Sequence, residues 1–242
     1  MDRDSPTISA TRLLALLGTP FAPRILDVSL PEDRAADPWR LPTAQGVRHQ
    51  QVLDVAPSLD RNEAVVTVCQ KGLKLSHGAA ALLRSAGFDA RALDGGNLAW
   101  FEAKRPRLSL DLAPDHGTTW VLPATRTRAD AAHAWVITRW FDPFARMLWI
   151  APEHVADVST RFQAHAIAPG TPLETTYSDR GVQHPALLTF LETIDGGTAP
   201  GIELLDMLPR LHARDEGCAQ AGLPFMDAAW AAFCDLGGQE AA

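Results

Sequence analysis

The sequence predicts an α/β fold: a mostly parallel sheet flanked by helices, followed by a mostly helical α+β half. Three observations predict it. Short β-branched or apolar runs at 24–28, 64–68 and 90–93 alternate with helix-length segments, the pattern of parallel strands joined by crossover helices. A stretch carrying Pro106, Pro114 and Gly117 interrupts the chain near its middle. Beyond it, long apolar-periodic segments outnumber strand-like ones.

Taken in order, residues 7–17 read as a capped amphipathic helix stopped by Gly18. The run 24–28 after Pro23 is a strand, and 30–46, rich in Pro, Asp and Arg, reads as a loop. Residues 64–68 (Ala-Val-Val-Thr-Val) form a buried strand. A helix follows from Leu75, with Leu75, Ala79, Leu82 and Leu83 on one face and Gly87 as its stop. Then come a strand at 90–93, a turn at Asp94-Gly95-Gly96, and a helix at 97–103. These boundaries define a first domain at 1–108, a linker at 109–118 and a second domain at 119–242. The second holds strands at 120–122 and 146–150 and helices at 127–141, 152–162, 184–194, 201–213 and 224–235.

Composition narrows the function. The 242 residues are 46% hydrophobic and 21% charged, enough for a core without disulfides. The formal net charge is −7, which argues against nucleic acid as a partner. No run of about 18 apolar residues exists, so no membrane partner is expected. Residues 1–6 show no apolar signal segment. The three cysteines, Cys69, Cys218 and Cys234, are odd in number and widely spaced, with no metal-ligand pattern; a cytoplasmic protein with no metal and no cofactor is expected. Of 22 basic residues only Lys71, Lys74 and Lys104 are lysines, and two of them lie within five residues of Cys69.

That loop, Cys69-Gln70-Lys71-Gly72-Leu73-Lys74-Leu75-Ser76, carries the chemistry. A cysteine ends a buried strand and a helix begins a few residues on. The first N–H groups of a helix lack internal partners, and a loop wound around the cysteine adds more, making an anion nest. Gly72 permits the tight turn, and Lys71 and Lys74 add positive charge. This setting is expected to favour the nucleophilic thiolate. Cysteine phosphatases need an Arg six positions after the Cys; Leu75 stands there. Sulfurtransferases use a base five positions on; Lys74 stands there.

The segment resembles the active loop of rhodanese-like sulfurtransferases. Ile25-Leu26-Asp27-Val28 is similar to that family's first strand, and Leu93-Asp94-Gly95-Gly96-Asn97-Leu98-Ala99-Trp100 to its closing segment. The family's usual Asp-Val-Arg stands here as Asp27-Val28-Ser29, and its Gly-His-Ile-Pro-Gly-Ala segment is replaced by residues 36–44. The resemblance implies that Cys69 accepts a sulfane sulfur as a persulfide and passes it to a thiophilic acceptor. It also implies that Gln70, Lys71, Gly72, Leu73 and Lys74 bind a small anionic donor such as thiosulfate, with a thiol or cyanide as acceptor, and that Asp27 and Ser76 support the loop. A structural thiol in an inactive domain is the competing reading of the same residues.

Residues 119–235 resemble the C-terminal domain of the chromate-resistance protein ChrB. Ala132-His133-Ala134-Trp135-Val136-Ile137-Thr138-Arg139-Trp140-Phe141-Asp142-Pro143 is similar to its signature, with His133 in place of the signature Cys. Asp215-Glu216 and the segment 222–230 match its acidic pair and closing helix, and Asp179-Arg180-Gly181 stands where the family has His-Arg-Gly. The resemblance implies a link to chromate resistance, and opens a second function: a non-catalytic oxyanion or redox sensor acting through Cys69. From the residues alone, Trp135, Trp140 and Phe141 are expected in the core, Arg139 in an ion pair, and His133 packed rather than ligating. Asp215 and Glu216 are expected at a solvated helix end, and Cys218 and Cys234 are expected to be inert.

Overall fold

The computed structural model describes residues 5–212 and 214–236. The chain divides into two units, Met1–Asp111 and Leu112–Ala242. The first runs β1 (Thr7–Ile8), α1 (Ala10–Leu14), β2 (Arg24–Asp27), α2 (Pro31–Ala36), β3 (Trp39–Arg40), β4 (Gln45–Gly46), β5 (Val65–Val68), α3 (Lys74–Ser85), β6 (Ala90–Leu93), α4 (Gly96–Glu102) and β7 (Arg107–Ser109). The main sheet has strand order β1-β6-β5-β2-β4, and each of its pairings is parallel. All four residues of β2 and all four of β5 are buried, as expected of strands covered on both faces. The predicted α/β class is the observed one.

Several local expectations are corrected. The segment 7–17 is not one helix. Thr7–Ile8 pairs with β6 as an edge strand, and the Ser9 hydroxyl accepts the Arg12 amide at 3.2 Å, so the helix starts only at Ala10. The segment 30–46 is not a plain loop. Pro31 at the first helical position and Glu32 and Asp33 in the first turn support α2. On α3 the buried residues are Ser76, Ala79, Ala80 and Leu83, whereas Leu82 is 45% exposed. Residues 107–109 pair antiparallel with β3 rather than running free.

The second unit runs β8 (Thr119–Pro123), α5 (Arg128–Val136), β9 (Arg146–Ile150), α6 (Val155–Phe162), β10 (His165–Ala166), α7 (Leu173–Ser178), then α8 (Pro185–Asp195), α9 (Ile202–Leu211) and α10 (Asp215–Asp235). Its strands lie in the order β10-β8-β9, all parallel. The helix expected over 127–141 ends at Val136 and widens into a π-helical turn, Ile137–Phe141, closed by the Asp142 amide on the Ile137 carbonyl at 2.8 Å. The helix expected at 224–235 begins nine residues earlier, and Pro224 lies inside it. The strand β10 and the helix α7 were not expected from the sequence.

The core of this unit is aromatic. Trp135, Trp140 and Phe141 are buried. Trp135, Trp140, Phe190 and Trp230 meet at ring-centroid distances of 5.3 to 6.3 Å, each such pair contributing about 0.5–1.5 kcal/mol beyond burial. Asp227 ties it: its Oδ1 accepts from Trp135 Nε1 at 2.8 Å and from Arg139 Nε at 3.0 Å, and its Oδ2 accepts from Arg139 Nη2 at 2.9 Å. Asp142 closes the β8 entry by accepting the Gly117 and Thr118 amides.

Candidate active site

The site is built at the carboxyl end of β5, the central strand of the five, where parallel sheets place their ligands. Cys69 follows directly. It is 5% exposed and packs with Leu26, Val28 and Val47 in the apolar layer beneath the loop. Its thiol donates to Ser76 Oγ at 3.3 Å, and Ser76 Oγ donates to the Leu73 carbonyl at 3.2 Å. Ser76 is itself buried, and its carbonyl accepts from Thr67 Oγ1 of β5 at 2.8 Å. The two expected residues Cys69 and Ser76 therefore meet, one turn into α3.

Backbone direction decides what the loop offers. The Cys69 carbonyl accepts the Asn97 amide at 3.1 Å, and the Gln70 carbonyl accepts the Leu98 amide at 3.0 Å. Both donors belong to the first turn of α4, and two of its orphan N–H groups are thereby satisfied. In a trans peptide the N–H points opposite the C=O, and no cis bond occurs among the described residues. The Gln70 and Lys71 amides are therefore turned away from α4. The Gly72 amide returns to the Cys69 carbonyl at 3.2 Å. Among the described residues, the amides of Gln70, Lys71, Leu73, Lys74 and Leu75 find no acceptor, and α3 carries no side-chain cap. Five donors at one loop form a place for negative charge. Lys71, Leu73 and Lys74 are exposed at its rim, while Gln70 is half-buried and Gly72 buried.

Two glycines make this approach possible. At Gly72 (φ +63°) a Cβ would stand 2.5 Å from the Gly96 nitrogen and 2.7 Å from the Leu93 carbonyl oxygen. At Gly96 (φ +62°) it would stand 2.1 Å from the Cys69 carbonyl oxygen. The Gly-Gly segment thus packs backbone to backbone against the loop.

Asp27 supports the loop from β2 through an intermediary. Its Oδ1 accepts the Ser29 amide at 2.8 Å, and its Oδ2 accepts Asn97 Nδ2 at 3.3 Å; Asn97 Nδ2 also donates to Ser29 Oγ at 3.2 Å. Arg34 lies 3.9 Å from Asp27 and donates to the Asp27 and Val47 carbonyls at 2.6 and 3.1 Å. Sequence reasoning missed Asn97 and Arg34 as supports. Asn97 stood in the quoted Gly-Gly-Asn segment, and its position after the turn was the available signal; Arg34 stood in a segment read as loop.

In the second unit, His133 is buried, with Nδ1 3.0 Å from Tyr177 Oη, and burial holds its pKa down at about 3. It is a packed residue. Asp179 is exposed, while Arg180 donates to the carbonyls of Thr176 and Ala166. Glu216 is exposed; the Asp215 side chain lies outside the described residues, as do Met1–Asp4. Cys218 is buried and Cys234 half-buried, and burial raises the Cys234 thiol pKa. Among the described residues there is no group of three or more His, Cys, Asp or Glu able to hold a metal ion, and no helix is long and apolar enough to cross a membrane.

Residues 9–103 match the family model described as Rhodanese-like domain, so this segment is a rhodanese-like domain. Solved structures are similar to part of the chain. A rhodanese-related protein from Thermoplasma volcanium is 20% identical over 42% of this chain and 96% of its own, with a TM-score of 0.37. A human single-domain sulfurtransferase is 26% identical over 40% of this chain and 96% of its own, with a TM-score of 0.36. A rhodanese-like domain protein from Staphylococcus aureus is 28% identical over 39% of this chain and 89% of its own, with a TM-score of 0.35. No curated protein matches the chain.

Proposed function

We propose that the first unit is a sulfurtransferase that carries sulfane sulfur on Cys69. The observation that carries this reading is the set of unengaged amides around a cysteine whose own carbonyl is turned away onto α4. With thiosulfate as donor, the Cys69 thiolate attacks the outer sulfur. The Sγ–S bond forms, the donor's S–S bond breaks, and sulfite leaves with the electron pair. A thiolate or cyanide acceptor then attacks the terminal sulfur and restores the Cys69 thiolate. The loop amides hold the negative charge on the terminal sulfur, since donors already oriented cost nothing to reorganise when that charge forms. Lys71 and Lys74 at the exposed rim attract the dianionic donor. Ser76, whose Oγ accepts from the Cys69 thiol and donates to the Leu73 carbonyl, and Asp27, acting through Asn97, keep the loop in register. The second unit, by its resemblance to the ChrB C-terminal domain, links this transfer to chromate-resistance systems. A cytoplasmic site of action fits the absence of disulfides among the described cysteines.

Intact-mass measurement after exposure to thiosulfate tests the reading. The expected result is a gain of one sulfur atom, lost in Cys69→Ser and removed by cyanide as thiocyanate. No gain with thiosulfate or with a persulfide donor overturns it.

A further inference from the structure

We propose that the second unit carries a binding site for a small organic cation, an amine on an aromatic or branched apolar body. The site is a cleft of about 320 Å³ with three walls. One wall is β9, where Met147 and Trp149, two residues apart, face the same side of the strand. The second is α5 and its π-helical extension, contributing Ala134 and Thr138, four residues apart. The third is the first half of α10, contributing Glu216, Gln220 and Leu223 along one helical face. The volume falls at the lower end of small-molecule sites, roughly 300–1,000 Å³.

The chemistry of the walls selects the occupant. Trp149, Met147 and Leu223 offer an apolar, polarisable surface, while Ala134 leaves room for a flat body between helix and strand. The polar groups are one carboxylate, one neutral carboxamide and one hydroxyl. Glu216 supplies a carboxylate at the exposed end. One turn on stands Gln220, whose carbonyl receives no N–H from Pro224. Thr138 lies opposite on the π turn. Among the described residues no Lys or Arg lines the cleft, and Glu216 carries the one formal charge of that lining. An anion there meets a carboxylate and no counter-charge, whereas an ammonium meets a carboxylate, acceptor oxygens and an aromatic side chain. The π-helical turn is an independent sign. It interrupts the regular helix at Thr138, and such turns occur frequently at functional sites.

Titration calorimetry of the full chain at low ionic strength, with phenethylamine, 2-phenylethanol and phenylacetate, tests the proposal, since one apolar body carries three charges. Phenethylamine is expected to bind saturably, 2-phenylethanol more weakly, and phenylacetate not at all. Glu216→Gln, at an exposed position, should weaken the amine about three-fold and bring it level with the alcohol. Trp149→Ala should weaken both about ten-fold. Should that variant unfold, Ala145→Leu narrows the cleft from the residue just before β9 and should act likewise. No saturation by the amine up to about 10 mM overturns the site, since even weak specific sites fill there. Equal binding of phenylacetate overturns the charge assignment. Unchanged amine affinity in Glu216→Gln and in the Trp149 and Ala145 variants places the binding elsewhere and overturns it too.

Discussion

The amide of Asn97 donates to the carbonyl of Cys69 at 3.1 Å, while the Asn97 side chain donates to Asp27 at 3.3 Å. One residue thus joins the end of β2 to the loop that leaves β5. Asn97 is 8% exposed, so these bonds are made away from bulk water. Replacing it by Ala leaves Asp27 Oδ2 and Ser29 Oγ without this donor, and should lower stability by about 1–3 kcal/mol. Sulfur loading should slow while the backbone bond persists. Urea unfolding and single-turnover loading, measured together, check both effects.

Gly96→Ala should be far more damaging than an ordinary helix-terminal alanine. The new Cβ would stand 2.1 Å from the Cys69 carbonyl oxygen and 2.2 Å from the Gly72 nitrogen, at a φ of +62°. Steric overpacking and the left-handed backbone together cost about 2–5 kcal/mol. A lower denaturation midpoint and no persulfide on Cys69 are expected. A variant as stable and as readily loaded as the parent would contradict the backbone-to-backbone contact.

Lys71 and Lys74 sit at the exposed rim of the loop, and their action is long-range. The double change Lys71→Glu with Lys74→Glu should raise KM for thiosulfate several-fold at low salt and leave kcat within about two-fold. The difference should shrink as ionic strength approaches about 0.15 M, where the Debye length falls to about 8 Å. A kcat collapse with unchanged KM would instead assign the lysines to the chemical step.

Acid should weaken the second unit. Burial lowers the pKa of His133 to about 3, with the nearby Arg180 adding to the effect, and burial lowers that of His184 to about 4, against 6.5 when free. Between those values the unfolded chain binds more protons than the folded one. Stability is therefore fully present above about pH 6.5 and is lost progressively as pH falls toward 3. Thermal unfolding followed by the near-ultraviolet signal of the tryptophan cluster checks this. His184→Gln should flatten the slope between pH 4 and 6.5.

Asp227 holds Trp135 and Arg139 at once, so Asp227→Ala should cost about 3–5 kcal/mol by leaving a partly buried guanidinium and an indole N–H without their acceptor. Asp227→Asn keeps one acceptor and should cost roughly half of that. Guanidinium unfolding of both variants gives the comparison.

Much of the fold was legible because its signals are local. The β-branched run 64–68 and the apolar runs 24–28 and 90–93 are the strands β5, β2 and β6, since strands covered on both faces must be apolar throughout. Cys69 and Ser76 could be placed from chain order alone, because a strand running into a loop and helix fixes where the next residues stand. The aromatic core at Trp135 and Trp140 was equally readable. The two-residue strands β1, β3 and β4 were not, since such short elements have no stability of their own and exist only where a partner strand accepts them. The start of α10 was hidden because Pro224 imitates a helix beginning. Packing against α5 holds the helix through it.

By itself, then, the sequence determined where Cys69 stands, which residues flank it and which strands bury the chain beneath it. Only the tertiary structure decided that Gly96 presses on the loop across the fold, that Asn97 joins Asp27 to Cys69, and that β9, α5 and α10 leave a cleft between them. The physical reason is range. Periodicity and turn chemistry act over a few residues, whereas hydrogen bonds such as that from Asn97 to Asp27 join positions 70 residues apart and exist only once the sheet has brought them together.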